Sequence, residues 1–171
     1  KEVPIWKLEQ RFIEPVRNVL AERYEVDAQE SLEDCLLNVA VTFVNDNYQD
    51  YLAELMEAKA GSLLEKLDED NTRLQMLTAL SYSVGYMLHI RCGLPGRAYF
   101  GNSLDKVCNF NTPEVISILG AAVSDMSEVL LREIAVLVQD LQREERNQNR
   151  TFEVPADSRY DVNRTATTEG S

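Results

Sequence analysis

Histidine is nearly absent: the 171 residues contain one, His89. A zinc-peptidase helix needs two histidines at i and i+4 with a glutamate between them, so that motif cannot be built. The same shortage forbids the four-helix di-metal pattern, which draws Glu-x-x-His from two helices. Cysteine is sparse too. Cys35, Cys92 and Cys108 are widely spaced and include no CxxC pair, which excludes a zinc ribbon or a thioredoxin-type motif. Each is expected to sit among apolar neighbours as a small hydrophobe, a usage that suits a reducing compartment. With 7 Gly and 5 Pro, the chain has too few turn residues for an all-β protein of its size. No apolar run approaches the roughly 18 residues of a membrane-spanning helix. Basic residues are outnumbered 17 to 29, for a formal net charge of −12. That balance repels phosphate backbones and disfavours an anionic membrane surface, leaving solubility or a basic partner as its uses.

What is present reads as helix. The apolar fraction of 44% and charged fraction of 27% are ordinary for one globular domain. Residues 1–8 are expected to be extended around Pro4, with Val3, Ile5 and Trp6 as an apolar anchor. A first helix is predicted over 9–24, its regular part starting near Pro15, with Val16, Val19 and Leu20 facing the core. Ser31 followed by Asp34 is a variant capping box. Apolar positions at Leu37, Val41, Val44, Tyr48, Tyr51 and Leu55 then predict a single helix from 32 to 59. Gly61-Ser62 ends it, and Leu63 to Leu67 reads as a short turn packed back on the core. A third helix is predicted from an Asp70 or Asn71 cap to Gly93, through Leu74, Leu77, Leu80, Val84, Met87 and Leu88. Residues 94–111 read as irregular, with one helical turn from Leu104 to Cys108. Thr112-Pro113 opens the last helix, predicted to break or kink at Gly120 and to end near 147, along Leu119, Val123, Met126, Leu130, Ile134, Leu137 and Leu141. The fold class expected is all-α, a bundle of four to five helices. It places a helical domain at 1–147 and a polar tail or linker at 148–171. Phe152 and Tyr160 in that tail are expected to pack on the helical body or on a neighbouring chain, with the Tyr82/Tyr86 face a candidate receiving surface.

Candidate chemistry is thin. His89 near the end of the third helix fits a structural histidine or a contact to last-turn carbonyls better than a metal ligand, because ligands cluster. Asp68-Glu69-Asp70 imitates a calcium loop, but Arg73 and Ala79 stand where Gly and Glu are required; a solvated cap for the third helix explains the run. Asp46 and Asp50 are expected to face water. No nucleophile elbow or phosphate-cradling glycine loop occurs. Asn149-Arg150-Thr151 and Asn163-Arg164-Thr165 match the glycosylation sequon and count as chance matches without a secretory route. The tyrosines Tyr48, Tyr51, Tyr82, Tyr86 and Tyr99 are the candidate interaction surface. Core lining with the hydroxyl at the rim is the other use open to them. No catalytic residue, cofactor or metal is expected.

Five strings are more particular: Asp46-Asn47-Tyr48, Asp50-Tyr51-Leu52, Phe110-Asn111-Thr112-Pro113, Ser124-Asp125 and Leu131-Arg132-Glu133-Ile134. They resemble a segment of very large proteins encoded by conjugative elements of Gram-positive gut bacteria, and the likeness spans most of residues 1–165. There the segment follows a region similar to the antirestriction protein ArdC, a single-stranded-DNA-binding module, and methylase and helicase-like domains can lie downstream. A further likeness is to the zincin-type peptidase domain of ArdC-like proteins. Ala79 to Tyr86, ending at Arg91-Cys92-Gly93-Leu94, resembles its later helix, with Leu, Ser and Tyr where an acidic ligand belongs. Val39-Ala40-Val41-Thr42-Phe43 would stand where HExxH should be.

These resemblances imply a non-catalytic helical module of a mobile-element DNA-processing or antirestriction-type protein. Its partners would be neighbouring domains of the parent, a docked protein or a second copy, without tight nucleic-acid binding and without a membrane. The alternative is a degenerate zincin scaffold that binds a peptide without metal. The chain opens Lys1-Glu2-Val3-Pro4, unlike a secretory leader, and ends in small polar residues. The expectation is a cytoplasmic segment of a longer polypeptide.

Overall fold

The computed structural model describes residues 8–29 and 31–152, with side chains as far as 148. The anchor of Val3, Ile5 and Trp6, the tail beyond Phe152 and the docking of Phe152 and Tyr160 all lie outside the described residues. Every regular element among the described residues is helical: α1 Gln10–Tyr24, α2 Leu32–Asn47, α3 Gln49–Ala58, α4 Glu69–Arg91, α5 Gly96–Phe100, a 3-10 helix Gly101–Asn109, and α6 Pro113–Phe152. The chain divides into compact units at 1–138 and 139–171. In the second, the described residues continue α6 and carry an exposed Arg143–Asp140 ion pair of 3.2 Å.

Among the described residues six α-helices stand where four or five were expected, for local reasons. α1 does not wait for Pro15 but runs through it from Gln10. Pro15 cannot donate the bond to the carbonyl four residues back. Burial on both sides of it, Phe12 before and Val16, Leu20 and Ala21 after, holds the first turn in place. Val19 is only half-buried.

The long second helix is two helices. α2 stops at Asn47 and α3 starts at Gln49, joined by Tyr48 at φ −85°, ψ −16°. The side-chain amides of Asn45 and Asn47 donate to the Val41 and Phe43 carbonyls at 2.8 Å each, offering the last turn an alternative to its backbone ladder. The core stripe of α2 also differs from the expected one. Leu32, Cys35, Leu36, Val39, Ala40 and Val44 are buried, whereas Val41 is exposed and Leu37 half-buried. In α3, Leu52 joins Leu55 in the core. The turn after it behaves as expected through Leu64, which is buried, but Leu63 is exposed.

α4 begins earlier than predicted because Asp68 is its cap, its carboxylate accepting from the Asn71 N–H at 2.8 Å. Leu74, expected on the core face, is exposed. Its end follows the expectation. Gly93 takes φ +76°, its N–H donates to the Ile90 carbonyl at 3.2 Å and the Leu94 N–H to the His89 carbonyl at 2.9 Å, the paired bonds of a Schellman ending. Between these ends Met76, Ala79, Leu80, Val84, Gly85 and Leu88 are buried, so α4 is covered by several neighbours. α2, α3, α5 and the 3-10 helix all pack on it. Residues 96–109, expected to be largely irregular, are helical throughout and seat Phe100 against α4.

α6 starts as predicted at Pro113, the Thr112 carbonyl accepting from the Ile116 N–H at 3.0 Å. It neither breaks nor kinks into two elements at Gly120 and continues to Phe152. Val115, Leu119, Ala122, Met126, Leu130 and Ile134 form its buried stripe. Each fully buried Leu or Ile of this core contributes about 1.5–3 kcal/mol.

The glycines give a test of opposite sign. A Cβ on Gly120 would meet nothing within 4 Å, so Gly120→Ala is expected to stabilise by about 0.5–1 kcal/mol. At Gly85 a Cβ would lie 3.1 Å from Leu37 Cδ1 and 3.3 Å from Phe100 Cζ. Gly85→Val is expected to destabilise by about 1–3 kcal/mol. Urea unfolding midpoints check both.

Candidate functional site

The densest meeting of titratable and aromatic groups lies where the end of α4 faces the start of α2 and α5. His89 is fully buried there. Its Nδ1–H donates to the Gly85 carbonyl one turn back at 2.7 Å, while Nε2 is buried with no hydrogen-bond partner among the described residues. Burial pushes the imidazole below its usual range. Tyr99 lies over the ring, centroids 4.8 Å apart, and Phe100 meets it edge-on at 4.8 Å. Phe100 is the hub, also touching Tyr82 at 6.2 Å, Tyr86 at 5.8 Å and Tyr99 at 5.0 Å. Gly85 makes room for it.

Asp34 closes the arrangement from α2. It accepts from the Tyr99 hydroxyl and, at 2.7 Å, from Ser31 Oγ, while its own N–H donates to Ser31 Oγ at 3.1 Å. Those two hydroxyls, Tyr99 first, hold its carboxyl below the usual carboxylate range. The chemistry this permits is limited. A nucleophilic hydroxyl needs a base to take its proton. Here the Ser31 proton goes to the carboxylate that completes a helix cap, and the hydrogen bond of His89 is spent on its own helix.

Of the five sequence-predicted tyrosines, the structure gathers Tyr82, Tyr86 and Tyr99 around Phe100. Tyr51 is tied elsewhere: its hydroxyl donates to Asp125 Oδ2 of α6 at 2.7 Å, and that carboxylate, with burial second, pushes the phenol up to about 12. Tyr48 is the half-buried joint between α2 and α3. Sequence reasoning missed Tyr24, whose hydroxyl donates to Glu133 Oε2 of α6 at 2.7 Å beside an Arg23–Glu133 ion pair. Burial and Glu133 raise that phenol strongly. Phe100 was missed as well. Glu133 is 109 positions from Tyr24, so no spacing signal could have found that pair, and the role of Phe100 depends on α5 folding back on α4.

The remaining candidates resolve simply. Asp46 and Asp50 are exposed, and Asp68 caps α4. Cys35 and Cys92 are buried, burial pushing the Cys92 thiol up to about 12, but Cys108 is exposed on the 3-10 helix rather than sheltered. Among the described residues, no three His, Cys, Asp or Glu side chains gather into a metal-holding group. At the positions likened to a zinc-peptidase helix pair, Val39, Ala40, Ala79 and Leu80 are buried as core. A cavity of about 460 Å³ lies between the starts of α1 and the loop after α4, lined by Leu8, Glu9, Ile13, Cys92 and Leu94 among others. No family model, no curated protein and no solved structure matches this chain.

The tyrosine–carboxylate pairs give an expected ranking. Tyr24→Phe, which strips a half-buried bond to a charged group, is expected to cost about 1–2 kcal/mol, and the more exposed Tyr51→Phe under about 1. The phenols also set an alkaline limit. Folded Tyr51 keeps its proton to about 12 while the unfolded chain releases it near 10. The stability from this group is therefore full below pH 10 and is lost as pH rises toward 12. Thermal melts from pH 9 to 12 check this, Tyr51→Phe flattening the decline.

Proposed function

We propose that this chain is a non-catalytic helical module of a mobile-element-encoded DNA-processing or antirestriction-type protein, and that it positions neighbouring domains or docks a protein partner. One observation carries the reading. Three tyrosine hydroxyls each donate to a carboxylate on a different helix: Tyr24 of α1 to Glu133 of α6, Tyr51 of α3 to Asp125 of α6, and Tyr99 of α5 to Asp34 of α2. An active site arranges such groups the other way, converging on a place where a reacting atom can sit. Here they lock helices together.

The strings that carry the family resemblance contribute three of the six clamp residues and part of the core. Tyr51, Asp125 and Glu133 belong to the clamps, and Ile134 and Phe110 to the core. Asn111 accepts from the Leu63 N–H at 2.8 Å, and Thr112-Pro113 starts α6. The likeness is therefore to a scaffold, which supports a structural role in the parent protein. The peptide-binding alternative would need a groove along α2 and α4, where Val39, Ala40, Ala79 and Leu80 pack as core. A cytoplasmic location is part of the proposal; no described helix is long and apolar enough to cross a membrane.

The purified chain is expected to hydrolyse neither peptide nor nucleic-acid substrates. It is expected to bind single- or double-stranded DNA no tighter than about micromolar at physiological salt, since a net charge of −12 offers no basic groove. Fluorescence anisotropy with labelled DNA across a salt series checks the second point. Tight, salt-sensitive binding, or reproducible turnover lost on Asp34→Asn, would overturn the proposal.

A further inference from the structure

His89 is the chain's single imidazole, and the clamps between helices do not use it. Its Nε2 is buried without a hydrogen bond. What covers it is α5, through Tyr99 over its face and Phe100 at its edge. α5 is flanked by two glycines at positive φ, Gly93 at +76° where α4 ends and Gly101 at +49° just after α5, positions whose backbone freedom only glycine supplies. Among the contacts that hold it down are the Phe100 ring seated at Gly85, Gly96 set closely against Tyr86 and Ile90, and the Tyr99 hydroxyl on Asp34. The charged and titratable groups facing the imidazole are Glu33 and Asp34 of α2 and Tyr99 of α5. Tyr82 and Tyr86 of α4 flank Phe100, and Arg97, the cation of α5, is exposed.

We propose that α5 is an acid-released latch: protonation of His89 favours a state in which residues 94–100 swing off α4 about Gly93 and Gly101, baring the Gly85 face with Tyr82 and Tyr86. The physical reason is linkage. An imidazolium under Tyr99 and Phe100 is cut off from water, whereas lifting α5 restores its hydration. The closed state binds the proton more weakly than a solvated histidine, whose ordinary value is 6.5. The closed form is therefore fully favoured above that value. It loses ground as pH falls, until the closed-state imidazole itself titrates. Asp34 works against release. The hydroxyls of Tyr99 and Ser31 hold its carboxyl below the usual carboxylate range, so the Tyr99–Asp34 bond outlasts the first acidification below the ordinary histidine value.

With one histidine in the chain, its imidazole NMR signals are unambiguous. The test follows them from pH 7.5 to 4.5 alongside amide hydrogen exchange at Tyr99 and Phe100, corrected for the intrinsic pH dependence. The corrected opening of α5 is expected to grow by up to about tenfold per pH unit below the ordinary histidine value. Tyr99→Phe, which removes the bond to Asp34 and keeps the ring, is expected to raise opening at every pH. His89→Phe is expected to abolish the acid response. An acid response retained in His89→Phe would overturn the latch. Should that variant fail to fold, the wild-type chain still decides: protonation of His89 without faster exchange at Tyr99 and Phe100 overturns it equally.

Discussion

A helix touched by neighbours around most of its circumference must be apolar or small wherever they touch, and α4 is that helix here. Met76, Ala79, Leu80, Val84, Gly85 and Leu88 are buried, with Thr72, Ser81 and His89 buried among them. Two of these polar residues bond to the helix's own carbonyls: Thr72 Oγ1 donates to that of Asp68 at 2.7 Å, and His89 Nδ1–H to that of Gly85. The arrangement of the first unit follows from accommodating this element. α2 lays its longest contact along it, the turn after α3 buries Leu64, and α5 closes over its last turns because Gly85 has no side chain.

Once α4 has absorbed the apolar residues, the polar ones are free to fix the outer helices. Hydroxyl-to-carboxylate bonds suit that task, since a tyrosine buries its ring and still reaches a charged acceptor at the rim. Glu133, little exposed, takes both the Tyr24 hydroxyl and Arg23. Asp34 serves at once as helix cap and as the acceptor for α5.

The fold class was legible in the sequence because periodicity and capping are local. Ser31 capping α2, Gly93 ending α4 and Thr112-Pro113 starting α6 all stand where their chemistry places them. The misplacements were also local contests. Asp68 outcompeted Asp70 as a cap, two asparagines divided one predicted helix at Tyr48, and the helical propensity of Gly120's neighbours carried α6 past it. The site was half legible. Tyr82 and Tyr86 share a face at helical spacing and Tyr99 lies close after, but Phe100 as their hub and Asp34 as an acceptor depend on how α5 folds back. Tyr24 and Glu133 are 109 positions apart, a pairing that only the packed core can make.

Amide hydrogen exchange of the intact chain at neutral pH tests the central role of α4 most directly, because protection reports which helix opens only with the whole domain. The amides of Leu80, Val84 and Leu88 are expected to be the slowest of all and to exchange only through global unfolding, with α3 and α5 opening earlier. Amides of α4 that exchange as fast as those of α3 or α5 would contradict the account, since the core would then be organised around another helix.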